Sequence, residues 1–193
     1  AAVSSVPVVN MLSDFAHPLQ AVADVLTMQQ NLGDLAGKTV TYVGDFNNVA
    51  RSLCEASAML GMHIRLGCPE GYDAQDTELL GLTELGAASV EQYRDIAIAV
   101  SGAHAVHTDT WTSMGQESES AERESVFAGF EVTSEIMSLA EANAIFMHCL
   151  PAHRGQEVSS SVIDGPQSKI YQQAHNRMHA ARGVLAFLMG VQQ

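Results

Sequence analysis

Short apolar segments that alternate with helical patterns are the feature that most constrains the fold of this 193-residue chain. Segments 38–43, 63–67, 103–108 and 144–147 are rich in β-branched or other apolar residues and have the length of buried strands. Between them, apolar residues recur every three or four positions, as on one face of a helix. Strands joined through helices pair in parallel, and the helices cover both faces of the sheet. The sequence therefore predicts an α/β protein with a doubly wound, mostly parallel, Rossmann-like sheet and helices on both faces.

Local signals predict several further elements. Ser89 and Gln92 have the spacing of a capping box, which predicts a helix that continues to about residue 100 after a brief strand. Thr133 is placed to begin a helix that reaches about residue 140. A last strand is expected at 169–171, before a final helix at 173–189. That helix carries one apolar stripe, formed by Ala174, Met178, Ala181, Leu185 and Leu188.

Charge and apolar content limit the partners and the compartment. The net charge is −13, with only nine lysines and arginines. Nucleic acid and anionic membranes bind basic faces, so neither is expected as a partner, and no apolar run is long enough to span a membrane. The three cysteines are widely spaced and predict free thiols in a reducing compartment. We therefore expect a cytoplasmic protein. Its first residues, Ala-Ala-Val without a Met, are typical of a cut or processed start.

Polar side chains follow three of the predicted strands at the points where these strands end. Asn47 and Asn48 follow the first strand, Asp109 follows the third, and His148 and Cys149 end the last. Ligands of doubly wound sheets bind beyond the carboxyl ends of the strands. We therefore expect these side chains to line one concave site.

Each group in this predicted site has a role that suits its chemistry. A carboxylate such as Asp109 binds an amine, and an amide such as Asn48 binds the α-groups of an amino acid. The glycine-containing loop with Ser113 and Met114 is placed to close over the amine and exclude water. Arg177, near the start of the last helix, is one of few cations available for an anion or a carbonyl oxygen.

Two other kinds of chemistry remain open on the sequence. His175 and His179 have the spacing of a metal-ligand pair on a helix, and His148 and His153 could complete a zinc site. The glutamate that usually follows the first histidine of such a motif is absent, and exposed helical histidines are the simpler interpretation. Cys149 could be a nucleophile activated by His148, although neighbouring residues on a strand point to opposite faces. It could equally be a small buried apolar residue.

Five segments carry the most specific residue patterns of the chain. They are His17-Pro18-Leu19-Gln20, Gly44-Asp45-Phe46-Asn47-Asn48, Asp109-Thr110-Trp111-Thr112-Ser113-Met114-Gly115-Gln116-Glu117, His148-Cys149-Leu150-Pro151 and Asn176-Arg177. In this order they resemble the motifs of ornithine carbamoyltransferases, from about residue 6 to about residue 189. The resemblance implies the aspartate/ornithine carbamoyltransferase fold. The Ser113-Met114-Gly115 loop and the run from His148 to Pro151 distinguish this group from the aspartate carbamoyltransferases.

The resemblance implies an enzyme that transfers the carbamoyl group of carbamoyl phosphate to the δ-amine of L-ornithine, giving citrulline and phosphate in arginine biosynthesis. It implies no metal and no organic cofactor. By the resemblance, Asp109, Cys149 and Arg177 are the catalytic residues, with Cys149 beside the amine rather than a covalent nucleophile. The implied substrate contacts are Asn48, Asp109, Ser113, Met114 and Cys149 for ornithine, and His17, Gln20, Cys149, Leu150 and Arg177 for the carbamoyl group.

The resemblance covers the ornithine-binding, carboxy-terminal half of the family. It implies an interdomain linking helix within 1–33, an ornithine-binding α/β domain at 34–172, and a carboxy-terminal helix at 173–193 that packs on the carbamoyl-phosphate domain. The Ser-x-Arg-Thr loop that binds phosphate in the family does not occur in this sequence. In the family, the domain with that loop also supplies most trimer contacts. We therefore expect carbamoyl phosphate to need the amino-terminal domain, a homotrimer in the full-length family, and little turnover by this chain alone.

Two positions depart from the family pattern. Leu19 stands where cysteine is common, and His175 stands where glutamate is common before Asn176-Arg177. Neither change removes a mapped contact. Two other functions remain open: a non-catalytic amino-acid-binding module, and a carbamoyltransferase for another amine such as putrescine. Asn48 argues against putrescine, which has no α-carboxylate.

Overall fold

One parallel sheet of five strands organises the described part of the chain. The computed structural model describes residues 1–113 and 115–191. The strands are β1 (Thr39–Val43), β2 (His63–Gly67), β3 (Ser89–Tyr93), β4 (Ala105–Thr108) and β5 (Ile145–His148). Their order across the sheet is β3-β2-β1-β4-β5, and every neighbouring pair is parallel. The predicted doubly wound parallel sheet is therefore confirmed.

Eight α-helices and one 3₁₀ turn connect or flank the strands in the described residues. They are α1 (Pro18–Leu32), α2 (Asn48–Met59), α3 (Asp76–Glu84), α4 (Ile96–Val100), the 3₁₀ turn Glu117–Glu119, α5 (Ser120–Phe127), α6 (Ser134–Met137), α7 (Ser160–Ile163) and α8 (Ile170–Leu188). Helix α1 begins at Pro18, whose missing N–H costs nothing in a first turn. It ends at Gly33, where φ is 77°, a conformation that glycine adopts without steric cost.

The alternation of side chains along the strands creates two cores, one on each face of the sheet. On one face, Tyr42 packs with Met28 of α1 and Leu53 of α2. On the other, Val106 packs with Phe127 of α5 and residues of α4. Because successive strand residues point to opposite faces, one strand serves both cores. Helices thus cover both faces, as predicted.

The edge strand β3 corrects one sequence prediction. Ser89 does not cap a helix: it pairs with His63 of β2, and its hydroxyl lies 2.8 Å from Nδ1 of that histidine. The helix begins only at Ile96, where the Asp95 carboxylate accepts a hydrogen bond from the N–H of Ala97 at 2.8 Å. The prediction of a helix from Ser89 was wrong because the open edge of β2 offers the same residues a complete backbone ladder.

Two predicted boundaries near the end of the chain also differ. Residues 169–171 do not form a strand, since helix α8 already begins at Ile170. The preceding residues only touch β5: Lys169 donates to the carbonyl of Phe146, and Phe146 donates to that of Gln167, both at 2.9 Å. Helix α6 ends at Met137, three residues earlier than predicted.

Helix α8 presents its polar side to the rest of the protein. Gln173 and Asn176 are buried against α1, whereas Met178 and Leu185 of the predicted apolar stripe are exposed. These two residues of the stripe therefore face solvent in the described structure. None of the helices within residues 1–113 and 115–191 is long and apolar enough to cross a membrane.

Candidate functional site

The candidate site lies where the strand order of the sheet reverses. From β1 the chain first builds β2 and β3 on one side and then returns to add β4 and β5 on the other. The crevice beyond the carboxyl ends of β1 and β4 is the usual ligand site of such sheets. The loops after β1, β4 and β5 contain the residues singled out in the sequence.

Asp109 is the centre of this site. It follows β4 directly and is only 6% exposed. Its Oδ2 accepts a hydrogen bond from Nδ2 of Asn47 at 2.9 Å. Its Oδ1 accepts from the thiol of Cys149 at 2.9 Å and from the N–H of Thr110 at 2.8 Å. The loops after three strands therefore meet on one carboxylate, as the positions of these residues at the strand ends predicted.

Asn47, rather than Asn48, is the amide that contacts Asp109. Asn47 caps helix α2, since its Oδ1 accepts from the N–H groups of Val49 at 3.0 Å and Ala50 at 3.1 Å. The cap fixes the amide oxygen towards the helix, so the amide nitrogen must face the other way, towards Asp109. The amide of Asn48 instead donates to the carbonyl of Ser13 at 2.7 Å. The cap position before α2 was the sequence signal that could have identified Asn47.

The Cys149 thiol is a proton donor in this arrangement. Burial, followed by the charge of Asp109 and the hydrogen bond to it, raises the pKa of Cys149 well above its ordinary value. The nucleophilic form of cysteine is the thiolate, which is disfavoured here. The geometry therefore argues against covalent catalysis by Cys149.

His148 makes its side-chain hydrogen bonds to Leu150 and Glu157 and has a different role from Cys149. Its Nδ1 accepts from the N–H of Leu150 at 2.9 Å, and its Nε2 lies 3.2 Å from Oε1 of the buried Glu157. These contacts assign the proton to Nε2. Leu150 has a φ of 62°, in the left-handed region, and precedes the cis peptide bond to Pro151. A non-glycine residue in that region is strained, so His148 and Glu157 hold a conformation that the loop would not adopt alone.

The geometry does not support the zinc alternative built on four histidines. Both ring nitrogens of His148 are already hydrogen-bonded, and it is fully buried. His175 and His179 lie on the exposed side of α8 and stack edge to face, with 4.9 Å between ring centroids. Donor atoms of Asp109, His148 and Cys149 do lie within 4.8 Å of one another. The hydrogen bonds described above already use them.

The loops after β1, β4 and β5 form the first wall of the site, and helices α1 and α8 form a second wall that carries a positive group. The guanidinium of Arg177 donates to Oε1 of Gln20, which is buried. His17, at the start of α1, has its pKa lowered by burial and by the nearby charge of Arg177, which favours the neutral imidazole. The structure thus brings together three residues that the resemblance assigned to one role, although Arg177 is 157 positions from Gln20 along the chain.

Arg123 is a structural residue of the site that the sequence did not reveal. It is 3% exposed, donates to the carboxylate of Asp45 and the carbonyl of Trp111, and lies 4.8 Å from the ring centroid of Tyr72. It therefore joins the loops after β1 and β4. The acidic run from Glu117 to Glu124 is typical of a solvated helix face, but Arg123 within that run is buried.

The loop after Asp109 is only partly described. The N–H of Ser113 donates to Oε1 of Gln116 at 3.1 Å, and Ser113 is half-buried. Met114, the other predicted contact in this loop, lies outside the described residues.

A doubly wound sheet that gathers a carboxylate, a thiol and an amide at its switch point defines an α/β domain that binds a small polar molecule. Residues 36–188 match the family model described as "Aspartate/ornithine carbamoyltransferase, Asp/Orn binding domain". The chain belongs to the aspartate/ornithine carbamoyltransferase family.

Individual relatives support the assignment. The ornithine carbamoyltransferase of Parasynechococcus marenigrum is 49% identical over 189 residues, which cover 97% of this chain and 59% of that protein. The solved ornithine carbamoyltransferase of Pyrococcus furiosus has a TM-score of 0.90 and 44% identity, covering 98% of this chain and 62% of that one. That of Gloeobacter violaceus has a TM-score of 0.88 and 41% identity, covering 96% and 63%. The chain thus spans about 60% of the length of the relatives it matches.

Proposed function

We propose that this chain binds L-ornithine and supplies the ornithine-binding domain for carbamoyl transfer from carbamoyl phosphate to the δ-amine, which yields citrulline and phosphate for arginine biosynthesis. The observation that carries the proposal is the buried Asp109 carboxylate, which Asn47 and Cys149 hold at the switch point. Its relatives of 41–49% identity are ornithine carbamoyltransferases.

The charge of the site favours an amine over an acidic amino acid. A carboxylate removed from solvent attracts an ammonium group and repels a second carboxylate. L-Aspartate, which the family description also includes, is therefore disfavoured at Asp109. We assign the α-groups of ornithine to Asn48, Ser113 and Met114, with Cys149 next to the δ-amine.

In the proposed reaction, the ammonium group of ornithine first releases one proton to solvent, and the free amine nitrogen then attacks the carbonyl carbon of carbamoyl phosphate. The bond from carbon to the phosphate oxygen breaks, and phosphate leaves with the electron pair and takes up the second proton that the nitrogen releases. Asp109 orients the amine, and the neutral Cys149 thiol donates beside it. Negative charge develops on the carbonyl oxygen, and Arg177 supplies a positive group for it, with His17, Gln20 and the backbone at Leu150 around the carbamoyl group.

The phosphate must find its positive groups elsewhere. We propose that residues 1–33 link, and that 173–193 pack against, a carbamoyl-phosphate domain, with 34–172 as the ornithine domain of a cytoplasmic homotrimer. No Ser-x-Arg-Thr run occurs in this sequence, so the chain alone should form little citrulline. A high citrulline yield from the chain by itself would refute this part of the proposal.

Titration calorimetry tests the binding. We expect L-ornithine to bind, and we expect both L-aspartate and putrescine to bind more weakly than L-ornithine. Putrescine should bind more weakly because it has no α-carboxylate for Asn48. Replacing Asp109→Asn should weaken ornithine binding about tenfold or more, since the charged partner of the amine is lost. Asp34→Asn is the matched control, because Asp34 is exposed and its side chain accepts a hydrogen bond from the N–H of Ala36 at 3.2 Å. If ornithine does not bind, or if both variants bind it equally, the proposal is wrong.

The competing function is a non-catalytic amino-acid-binding module. The observation in its favour is that the matching family model describes a binding domain. Addition of a carbamoyl-phosphate domain from a relative decides between them. Citrulline formation then supports the transferase, whereas ornithine binding without citrulline supports the module.

A further inference from the structure

The interface between α1 and α8 is unusually polar for a buried surface. Asn176 donates to Thr27 at 2.8 Å and to Gln30 at 2.9 Å. Gln173, which is 1% exposed, reaches from α8 to Asp24 of α1. Buried polar groups of this kind need partners in specific orientations, so they fix how elements pack more sharply than apolar contacts do.

Asp24 is the most demanding member of this interface. It is fully buried, and its Oδ1 accepts from Nε2 of Gln20 at 2.7 Å and from Nε2 of Gln173 at 2.6 Å. Its Oδ2 lies 3.6 Å from Nε2 of His107 and has no hydrogen-bond partner within the described part of the chain. A buried carboxylate is costly, and both glutamines are oriented by it.

Two chains of contacts lead from Asp24 to the two walls of the site. In the first, the amide nitrogen of Gln20 donates a hydrogen bond to Asp24, and its amide oxygen accepts one from the guanidinium of Arg177. In the second, the amide nitrogen of Gln173 donates a hydrogen bond to Asp24, and its amide oxygen accepts one from the backbone N–H of His148 at 2.9 Å. The residue after His148 is Cys149, the partner of Asp109.

We propose that Asp24 is a positioning residue that sets Arg177 and the end of β5 in one fixed relation. A carboxylate accepts hydrogen bonds but cannot donate them, so each glutamine must turn its nitrogen towards Asp24. The amide oxygen of Gln20 then faces Arg177, and the amide oxygen of Gln173 faces the backbone N–H of His148. The assignment rests on the proposed function only for the identity of the ligand. The orientation of the two glutamines is a property of the free protein.

Three variants test this role. Asp24→Leu removes both acceptor oxygens, and Asp24→Asn keeps one acceptor oxygen but lets a rotated amide present its nitrogen. Thr27→Val is the matched control, since Thr27 is equally buried in the same interface but connects to Asn176, which retains Gln30. Ornithine affinity is measured by calorimetry and stability by urea unfolding. The Nε–H resonance of Arg177, assigned with Arg177→Lys, is followed by NMR without ligand.

The proposal gives distinct expectations for the variants. Asp24→Leu should weaken ornithine binding about tenfold or more, Asp24→Asn less, and Thr27→Val less than about twofold. The Arg177 resonance should move in both Asp24 variants and stay in place in Thr27→Val. If Asp24→Leu does not fold, the Arg177 resonance and the ornithine affinity of Asp24→Asn provide the test.

Two results would overturn the positioning role. One is an Arg177 resonance that does not move in either Asp24 variant. The other is a loss of ornithine affinity in Thr27→Val equal to that in the Asp24 variants, which would show a purely structural effect. If the unaltered chain binds no ornithine, the proposed function fails, and the Arg177 resonance alone then decides whether Asp24 positions it.

Discussion

Asn47 has two roles that substitution can separate. Its oxygen caps α2, and its nitrogen donates to Asp109. Serine is as good an N-cap as asparagine, but it is too short to reach Asp109 as well. Asn47→Ser should therefore keep the cap and lose the hydrogen bond to the carboxylate.

The size of the effect follows from the two contacts. A hydrogen bond to a charged group contributes about 1.5–3 kcal/mol, so loss of this one should weaken ornithine binding about tenfold or more if Asp109 must be held in place. Loss of a cap costs about 1 kcal/mol of stability. Asn47→Ala, which loses both contacts, should match Asn47→Ser in ornithine affinity and be about 1 kcal/mol less stable.

Calorimetry gives the affinities, and urea unfolding of the same samples gives the stabilities. Asp95→Ala removes the cap of α4, which is not part of the site, and controls for loss of a cap alone. Equal ornithine affinity of Asn47→Ser and the unaltered chain would refute the claim that Asn47 positions Asp109. Equal stability of the serine and alanine variants would refute its capping role.

Two further predictions concern residues near this centre. Alkylation of Cys149 by iodoacetamide at pH 8 should be slower in the folded chain than in urea, because the raised pKa of this thiol leaves little thiolate. Mass spectrometry follows the labelling, and the Cys149→Ser variant identifies the signal of this residue. Equally fast labelling of the folded chain would contradict the assignment of Cys149 as a neutral thiol. Arg123→Met should lower the free energy of unfolding by about 2–4 kcal/mol, because Asp45 loses its buried partner. Burial already raises the pKa of Asp45, so Asp45→Asn should lower the free energy of unfolding by less. Urea unfolding measures both variants, and the reverse order of their effects would count against this account.

Local patterns predicted the sheet well because each strand and the loop that ends it are contiguous in sequence. Asp109 and Cys149 could be identified in this way, since a polar residue at the end of a strand is visible without any tertiary information. The edge strand β3 could not be separated from a helix start, because Ser89 and Gln92 satisfy a capping-box spacing and a half-exposed strand equally well. Only the open edge of β2 decides between them.

The residues that could not be predicted from the sequence are those whose hydrogen-bond partners lie far away along the chain. Arg123 finds Asp45 across 78 residues, and Gln173 finds Asp24 across 149. An arginine in an acidic run and an aspartate on an amphipathic helix both have ordinary exposed interpretations. Nothing in their own neighbourhoods shows that each is buried.

Helix α8 shows why periodicity alone cannot assign the inner face of a helix. The apolar stripe with Met178 and Leu185 was identified correctly as a stripe, but it faces outward in the described structure. The inner face is set by Gln173 and Asn176, because α1 offers Asp24 and Thr27 as matching hydrogen-bond partners. The spacing of apolar residues shows which side of a helix is apolar, whereas burial depends on which surface the neighbouring element can satisfy. In this chain that surface is polar, and it is the same surface that connects both walls of the candidate site.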